Sequence, residues 1–514
     1  MDGFDLELLN RLPLAEATWT LFRYAANDEV LERIFEENRG RAYCSELTFG
    51  TLVDLVGNAL LVHAGSGRQS FAEGRKNGSL NVTDQATYGK LRRMPVAVSE
   101  ALLSEVGARL TAVAPAVESR SLPECFADYQ VVTIDGKKLK KLAKRLKPLR
   151  AVKGSLLGGK VLVAIDGRSG LATAMSSALD GEANDAPLVP PLVPQVRERV
   201  AGPRLWLADR QFCDLTIPRL LSQDGDGFVI RHCLKMKFHE DPSREVREFC
   251  DPKGRTIREQ WGWVGSAKDK RRMYVRRITL ERPGDEPIIV LTSLLDGDQF
   301  SAEAILELYG LRWNIERVFQ QVTEVFQLQA LIGSTPRAAI FQASLCFALY
   351  NVIQVIRGYV AEAHEVPPET VSAELLFRDV QKQMICWTEL GPTPLPERVY
   401  EAPLDVDSTR RRLTELLSGA WSDRWRKSPP KKNWRPTTRT QHVRAATRRH
   451  GNSSNKRDPP PYKRPAPGNE MFTAVGRGTC RACQSPVFGC QSSLDGRVGT
   501  GRAPRTMPAA ALDE

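Results

Sequence analysis

Three carboxylates in this 514-residue chain stand where they could hold divalent cations: Asp135, Asp209 and Glu316. Asp135 closes the apolar, β-branched run YQVVTID, and Asp209 closes a second apolar run, RLWLAD. Buried strands seldom end in an inward-facing charge unless it is paired or binds a metal. Each aspartate alone also reads as an ordinary turn residue; Asp166, in a plain Asp-Gly turn after KVLVAI, shows how little one such ending proves. The third acid has a stronger context. ILELYGLRWNIERVFQQVTEVFQLQ has the apolar spacing of one helix, with Tyr309, Arg312, Glu316 and Gln320 on one narrow stripe. A surface helix with an Arg312–Glu316 ion pair would give the same spacing, for a few tenths of a kcal/mol. Oxygen donors of this kind suit two ions of Mg²⁺ (or Mn²⁺), about 4 Å apart, one activating an attacking oxygen and one stabilising a leaving oxygen. His and Cys are nearly absent from these segments, which argues against zinc.

Elements that position such acids can be read around them. Residues 1–120 are mainly helical: EVLERIFEENRG and SEALLSEVGARLTAV have helical spacing, FGTLVDLVGNALLVHA is apolar nearly all round, and Asn81-Val82-Thr83-Asp84 has the form of a helix start. Lys90, Arg92 and Arg93 on the following helix could meet phosphates or simply face solvent. From residue 121 the pattern turns to strands. KVLVAIDGRSGLATAMSSAL reads as a hairpin, IPRLLSQ as a helix, and FVIRHC, WGWVG, RRMYVRRITL and PIIVLTSL as strands. Trp261 and Trp263 share a strand face, as packed aromatics or as base-stacking residues. Helical spacing returns from Ala302 to Leu331, at 340–362 and within 370–420.

The expected fold class is therefore α/β. The expected organisation is a helical N-terminal domain (1–120), a strand-and-helix core in two parts (121–227 and 301–362), a β-rich insertion (228–300), a helical region (363–425) and a basic tail (426–514) whose composition cannot offset its chain entropy by burial and is expected to be disordered. Net charge is +12, and the tail from Arg426 holds 18 Lys/Arg against 5 Asp/Glu. That makes the tail a polyanion-binding arm or a solubilising extension. From Lys137 to Lys153 there are nine Lys/Arg and no acids, beginning Lys137, Lys138, Lys140, Lys141. Such a run beside a metal site favours phosphate contact. Cys480, Cys483 and Cys490 lack a clear fourth zinc ligand, and chance clustering is the plainer reading. Apolar stretches fall short of the ~20 residues of a membrane span, and the acidic N-terminus is unlike a secretory signal. A cytoplasmic, nucleoid-associated protein with no membrane partner is expected.

The order strand–Asp, hairpin, strand–Asp, helix–Glu is what an RNase H-like nuclease requires. The chain resembles, over about residues 120–360, the "family four" group of insertion-sequence DDE transposases. YGLRWNIE carries the Y-x2-R-x3-E part of that group's Y-x2-R-x3-E-x6-K signature; TIDGKKLK, LADRQF and DGEANDAPLVPPLV are similar to its other motifs. The resemblance implies an RNase H-like catalytic domain and Asp135, Asp209 and Glu316 as the metal-binding catalytic triad. It implies phosphate contacts from Tyr309 and Arg312, with Trp313 stacking on a displaced base or packed in a core. Double-stranded DNA, as terminal inverted repeats and target, is the implied partner of a homodimer. Thr323 and Gln211 depart from the group's lysine and glycine. Two alternatives stand beside this reading: a nuclease on the same fold without strand transfer, and an inactive DNA-binding remnant.

Overall fold

The computed structural model describes residues 7, 11–42, 46–115, 122–139, 158–282, 284–390 and 405–427. Lys140, Lys141, the rest of the basic run to Lys153, the three clustered cysteines and the tail from residue 428 lie outside these residues.

Among the described residues, six helices come first: α1 (Pro13–Ala25), α2 (Asp28–Asn38), α3 (Phe49–Leu61), α4 (Gly67–Lys76), α5 (Asp84–Arg93) and α6 (Val96–Val113). The helix start read at Asn81–Asp84 holds: Thr83 caps α5 by accepting from the Ala86 N–H. Lys90 is drawn onto the Leu47 carbonyl and the Phe35 ring, whereas Arg92 and Arg93 are exposed.

Strands β1 (Gln130–Lys138), β2 (Lys160–Asp166) and β3 (Ala172–Ala178) form an antiparallel meander. Helix α7 (Val189–Arg199) then leads to β4 (Arg204–Ala208), and the short α8 (Ile217–Leu221) to β5 (Gly227–Arg231). Strands β4 and β5 join parallel to β1. The chain then runs through β6 (Phe238–Glu240), β7 (Arg247–Cys250), β8 (Thr256–Val264), β9 (Met273–Leu280) and β10 (Ile288–Thr292). The order across the sheet is β3-β2-β1-β4-β5-β10-β9-β8-β6, with β7 also on β8. The strand-rich stretch 228–300 thus extends the same sheet: β10 pairs antiparallel with β5. Trp261 is buried there, its Nε1 donating to the Leu295 carbonyl at 2.8 Å, and Trp263 packs edge-on against Tyr274. The structure favours packing for both tryptophans.

Helices α9 (Ala302–Gly310), α10 (Trp313–Glu324), α11 (Pro336–Ala363), α12 (Ala373–Leu390) and α13 (Val406–Leu417) complete the described chain. The alternation of side chains along each strand sorts the core into layers. Val132, Ile134, Leu162, Trp206 and Ala208 pack with α7 and α8. Val131, Leu205 and Leu207, on the opposite face, pack under α9. Val161, Val163 and Met175 meet the large helical core around α11.

Helix α11 corrects the reading of apolar lengths. It is 28 residues long and apolar enough to cross a membrane by length and composition, yet its most apolar window is wholly buried within the protein. Its polar residues mark the reason. Asn351 accepts from the Ala172 N–H and donates to the Ala172 carbonyl, both at 2.8 Å, sealing the sheet's β3 edge. At Gly107, α6 comes so near β3 that a Cβ would lie 2.6 Å from the Ala172 carbonyl oxygen.

Candidate active site

Asp135 and Asp209 meet through strand register. Gln130 of β1 lies level with Arg204 of β4, and Thr133 with Leu207; the same parallel offset places Asp135 level with Asp209, just past the last paired residues. Adjacent strands are about 4.8 Å apart. Alternation also gives both aspartates the face of Val131, Leu205 and Leu207, the face that α9 covers. The expected strand ending at Asp135 is corrected. β1 continues to Lys138, because Gly136, Lys137 and Lys138 go on pairing with β2 after β4 has ended. Asp135 is therefore free of neighbours only on its β4 side. Asp209 follows β4 directly and accepts from the Arg210 N–H at 2.6 Å. Asp166, by contrast, is the turn residue its context suggested: its Oδ2 accepts from the Ser169 N–H at 2.7 Å.

The single helix expected over residues 302–331 is two. At the joint, the N–H groups of Leu311, Arg312, Asn314 and Ile315 bond three residues back, to the carbonyls of Leu308, Tyr309, Leu311 and Arg312. This tighter winding shifts the side-chain directions expected of a continuous helix. Tyr309 and Arg312, expected on an exposed polar front, are both buried, at 3% exposure each. Glu316 and Gln320 do face outward, and Gln320 donates to Glu324 at 3.1 Å. Trp313 is 49% exposed with the Arg312 guanidinium 4.4 Å from its ring, so the packed-core alternative for this tryptophan fails.

Arg312 links two of the three acids, Asp135 and Glu316. Its Nη1 is 4.0 Å from Asp135 Oδ2 and its Nη2 donates to Glu316 Oε1 at 3.2 Å. Burial opposes its charge, but Tyr309, Asp209, Asp135 and Glu316 together hold it above its ordinary pKa. Asp135 is shifted too. Burial pushes its carboxyl up to about 6; the Gly136 N–H and Arg312 pull the other way, while Asp209 and Asp185 add to the rise. Burial likewise pushes the Tyr309 phenol up to about 12. Among the described residues, the Tyr309 hydroxyl and Arg312 Nε are buried without a well-aligned hydrogen-bond partner.

Among the described residues, no three acidic, His or Cys side chains converge as a formed ion cage. The donor set nevertheless fits a hard divalent cation. All three ligand candidates are carboxylates, two stand level on adjacent strands, and the Arg312 guanidinium already places a positive charge between Asp135 and Glu316.

Of the basic run, Lys137 lies on the site's side, its Nζ 5.4 Å from the Phe319 ring of α10. Lys138 turns to the other face and bonds Glu182 at 2.6 Å. Thr323 spends its hydroxyl on the Phe319 carbonyl at 2.6 Å, and Gln211 is exposed.

Sequence reasoning assigned no role to Asp185. This buried carboxylate lies under Gly136, where a Cβ would come within 2.1 Å of its Oδ1, and it forms an ion pair with the equally buried Lys160. Lys160 also donates to the Ala183 carbonyl at 2.7 Å. The available signal was the acid in DGEANDAP, a polar loop entering a proline-rich helix, together with a lysine opening the apolar strand β2.

Comparison with known proteins bears on the stretch that carries this site. Residues 127–352 match the family described as Transposase DDE domain. The match spans β1 to most of α11 and includes Asp135, Asp209 and Glu316. Over 100 residues the chain is 31% identical to the putative transposase InsL for insertion sequence element IS186A of Escherichia coli (strain K12), which is 20% of this chain and 25% of the relative. It is equally similar, over the same shares, to the transposase for insertion sequence element IS421 of Escherichia coli. The chain thus spans about a quarter of the length of these curated relatives. Together the matches support a DDE transposase.

Proposed function

We propose that the protein is a DNA transposase of a prokaryotic insertion sequence, acting on an RNase H-like catalytic domain. The observation that carries this reading is the level placement of Asp135 and Asp209 on adjacent parallel strands, with Arg312 tying Glu316 to Asp135. The sheet order β3-β2-β1-β4-β5, an antiparallel meander followed by two parallel strands, supports the RNase H-like assignment. The Tyr309, Arg312 and Glu316 spacing supports the "family four" group, from which Thr323 and Gln211 depart.

In this reading Asp135, Asp209 and Glu316 would hold two ions of Mg²⁺ or Mn²⁺, which would supply Lewis-acid stabilisation of the reacting phosphate's oxygens. The protein's own contribution is position and charge. The sheet fixes the two aspartates, and α10 carries Glu316, which Arg312 connects to Asp135. Tyr309 and Arg312 have buried polar atoms without well-aligned partners among the described residues, suited to a phosphate oxygen brought in by DNA. Trp313, exposed beside Arg312, offers a face on which an unpaired base can stack, worth roughly 1–3 kcal/mol. Lys137 adds positive charge on the same side. Hydrolysis frees a 3′-hydroxyl at the element end, which then attacks a target phosphodiester. A homodimer would pair the two terminal inverted repeats.

The test is an assay with purified protein, a DNA duplex carrying an element end, a target plasmid and Mg²⁺. The expected result is strand cleavage at the end and a covalently joined product. Cleavage without joining would establish a nuclease instead; neither product, with DNA still bound, would establish a binding remnant.

A further inference from the structure

A second cluster of cations lies on the neighbouring side of α10. A cavity of about 510 Å³ opens between α10, α11 and the segment that follows α13. Arg317, Arg357 and Lys427 all line it. Arg317 is exposed, whereas Arg357 is buried at 9% exposure. Lys427 is fixed in place through its backbone: its N–H donates to the Thr370 carbonyl at 2.8 Å, next to the Val371–Arg426 bridge. Against the three cations the lining holds one acid, Glu369. Burial, and then Arg357 and Arg317, hold the Lys427 amine below its ordinary pKa, with Glu369 opposing. Like charges gathered in this way call for an anion.

A further observation points to a ligand. Gln354, 7% exposed and also lining the cavity, has a buried Nε2 with no hydrogen-bond partner among the described residues. A buried donor left without a partner is destabilising, and an oxygen-rich ligand would satisfy it. The place of the cluster in the chain says which anion. Arg317 directly follows Glu316, so the cavity and the carboxylate site share one turn of α10.

We propose that this cavity binds a backbone phosphate of the DNA strand whose reacting phosphate lies at Asp135, Asp209 and Glu316. Arg317 and Lys427 supply the charge, and Gln354 donates to a phosphate oxygen. This rests on the transposase reading above. It assigns the chain after α13 a share in holding the cut strand.

The test measures binding of a short fluorescent DNA duplex by anisotropy, in EDTA so that no cleavage intervenes, across a salt series. Wild type is compared with Arg317→Gln, Lys427→Gln, the double variant and Gln354→Leu, with thermal unfolding as the control on folding. The double variant is expected to bind about tenfold more weakly at low salt and to lose about one unit of salt slope, the signature of one lost phosphate contact. Gln354→Leu is expected to weaken binding with the slope unchanged. A folded double variant with wild-type affinity and slope overturns the proposal. Inorganic phosphate is the second probe. If it raises the unfolding temperature of wild type but not of the double variant, while DNA binding is equal in both, the cavity is a small-anion site and the DNA assignment is overturned. If wild type itself fails to bind DNA, the transposase reading falls first and this inference with it.

Discussion

The guanidinium of Arg312 donates to Glu316 at 3.2 Å while resting 4.0 Å from Asp135. One buried cation therefore balances acids from two separate parts of the chain. Replacing it leaves Asp135, already held near neutrality by burial, with less reason to ionise. Arg312→Ala is expected to lower end cleavage by at least about 100-fold, the scale of losing one preorganised charge donor. Arg312→Lys is expected to recover little of it, since an ammonium lacks the planar fork that reaches two partners. Single-turnover cleavage rates at saturating DNA check both, and near-wild-type rates for Arg312→Ala would remove the arginine from the site.

Asp135→Asn, Asp209→Asn and Glu316→Gln keep side-chain volume and remove the charge. Each is expected to abolish cleavage and strand transfer while leaving duplex binding in EDTA within about threefold of wild type, because phosphate affinity rests on the cations. Removing divalent ions from wild type should stop cleavage, and either Mg²⁺ or Mn²⁺ should restore it. Calorimetry of Mg²⁺ binding, compared between wild type and Asp135→Asn, reads the ion site without relying on activity.

Gly136 has no room for a side chain, because Asp185 fills the place a Cβ would take. Gly136→Ala is expected to destabilise the protein by about 1–3 kcal/mol through overpacking. Urea unfolding measures this directly. Asp185→Ala opens the space but leaves Lys160 buried without its partner, so it is expected to cost about 3–5 kcal/mol. The larger loss for Asp185→Ala is the discriminating result.

A separate ion pair ties the end of the described chain to α12. Asp379 accepts from Arg424 Nε at 2.9 Å and from Trp425 Nε1 at 2.8 Å. Burial alone would raise its carboxyl, but these bonds, with the charges of Arg424 and Lys382, hold it below its ordinary value. A depressed folded-state pKa gives stability that is present above the unfolded value of about 3.9 and is lost as pH falls through the lower folded value. Asp379→Ala is thus expected to cost about 1–3 kcal/mol at pH 7. The gap from wild type should narrow as pH falls below about 4. Thermal unfolding at several pH values checks both parts; a gap that stays constant into strong acid would count against the ion pair.

The elements around the three acids were legible because their local patterns are short-range. The apolar runs before Asp135 and Asp209 mark strands, and the spacing of Arg312 and Glu316 marks a helical neighbourhood. The hairpin around Asp166 and the cap at Thr83 were readable for the same reason. What sequence periodicity could not show depended on partners far along the chain. β1 outlasts Asp135 because β2 goes on pairing with it. The break at Leu311–Arg312 turns on a change of hydrogen-bond spacing that leaves the apolar pattern intact. Tyr309 and Arg312 look like surface residues by composition and are buried by the sheet beneath them. Asp185 and Lys160 drew no reading, because they meet only when the loop before α7 folds back onto β2.

The sheet's route has a consequence for synthesis. Asp135 and Asp209 leave the ribosome long before Glu316, and β10 must return to the edge of β5 before α9 and α10 can settle over the aspartates. A nascent chain that has folded its first five strands still lacks both its last acid and the arginine that balances it. The three acids can then come together only after Glu316 has been made, 316 − 135 = 181 residues after Asp135.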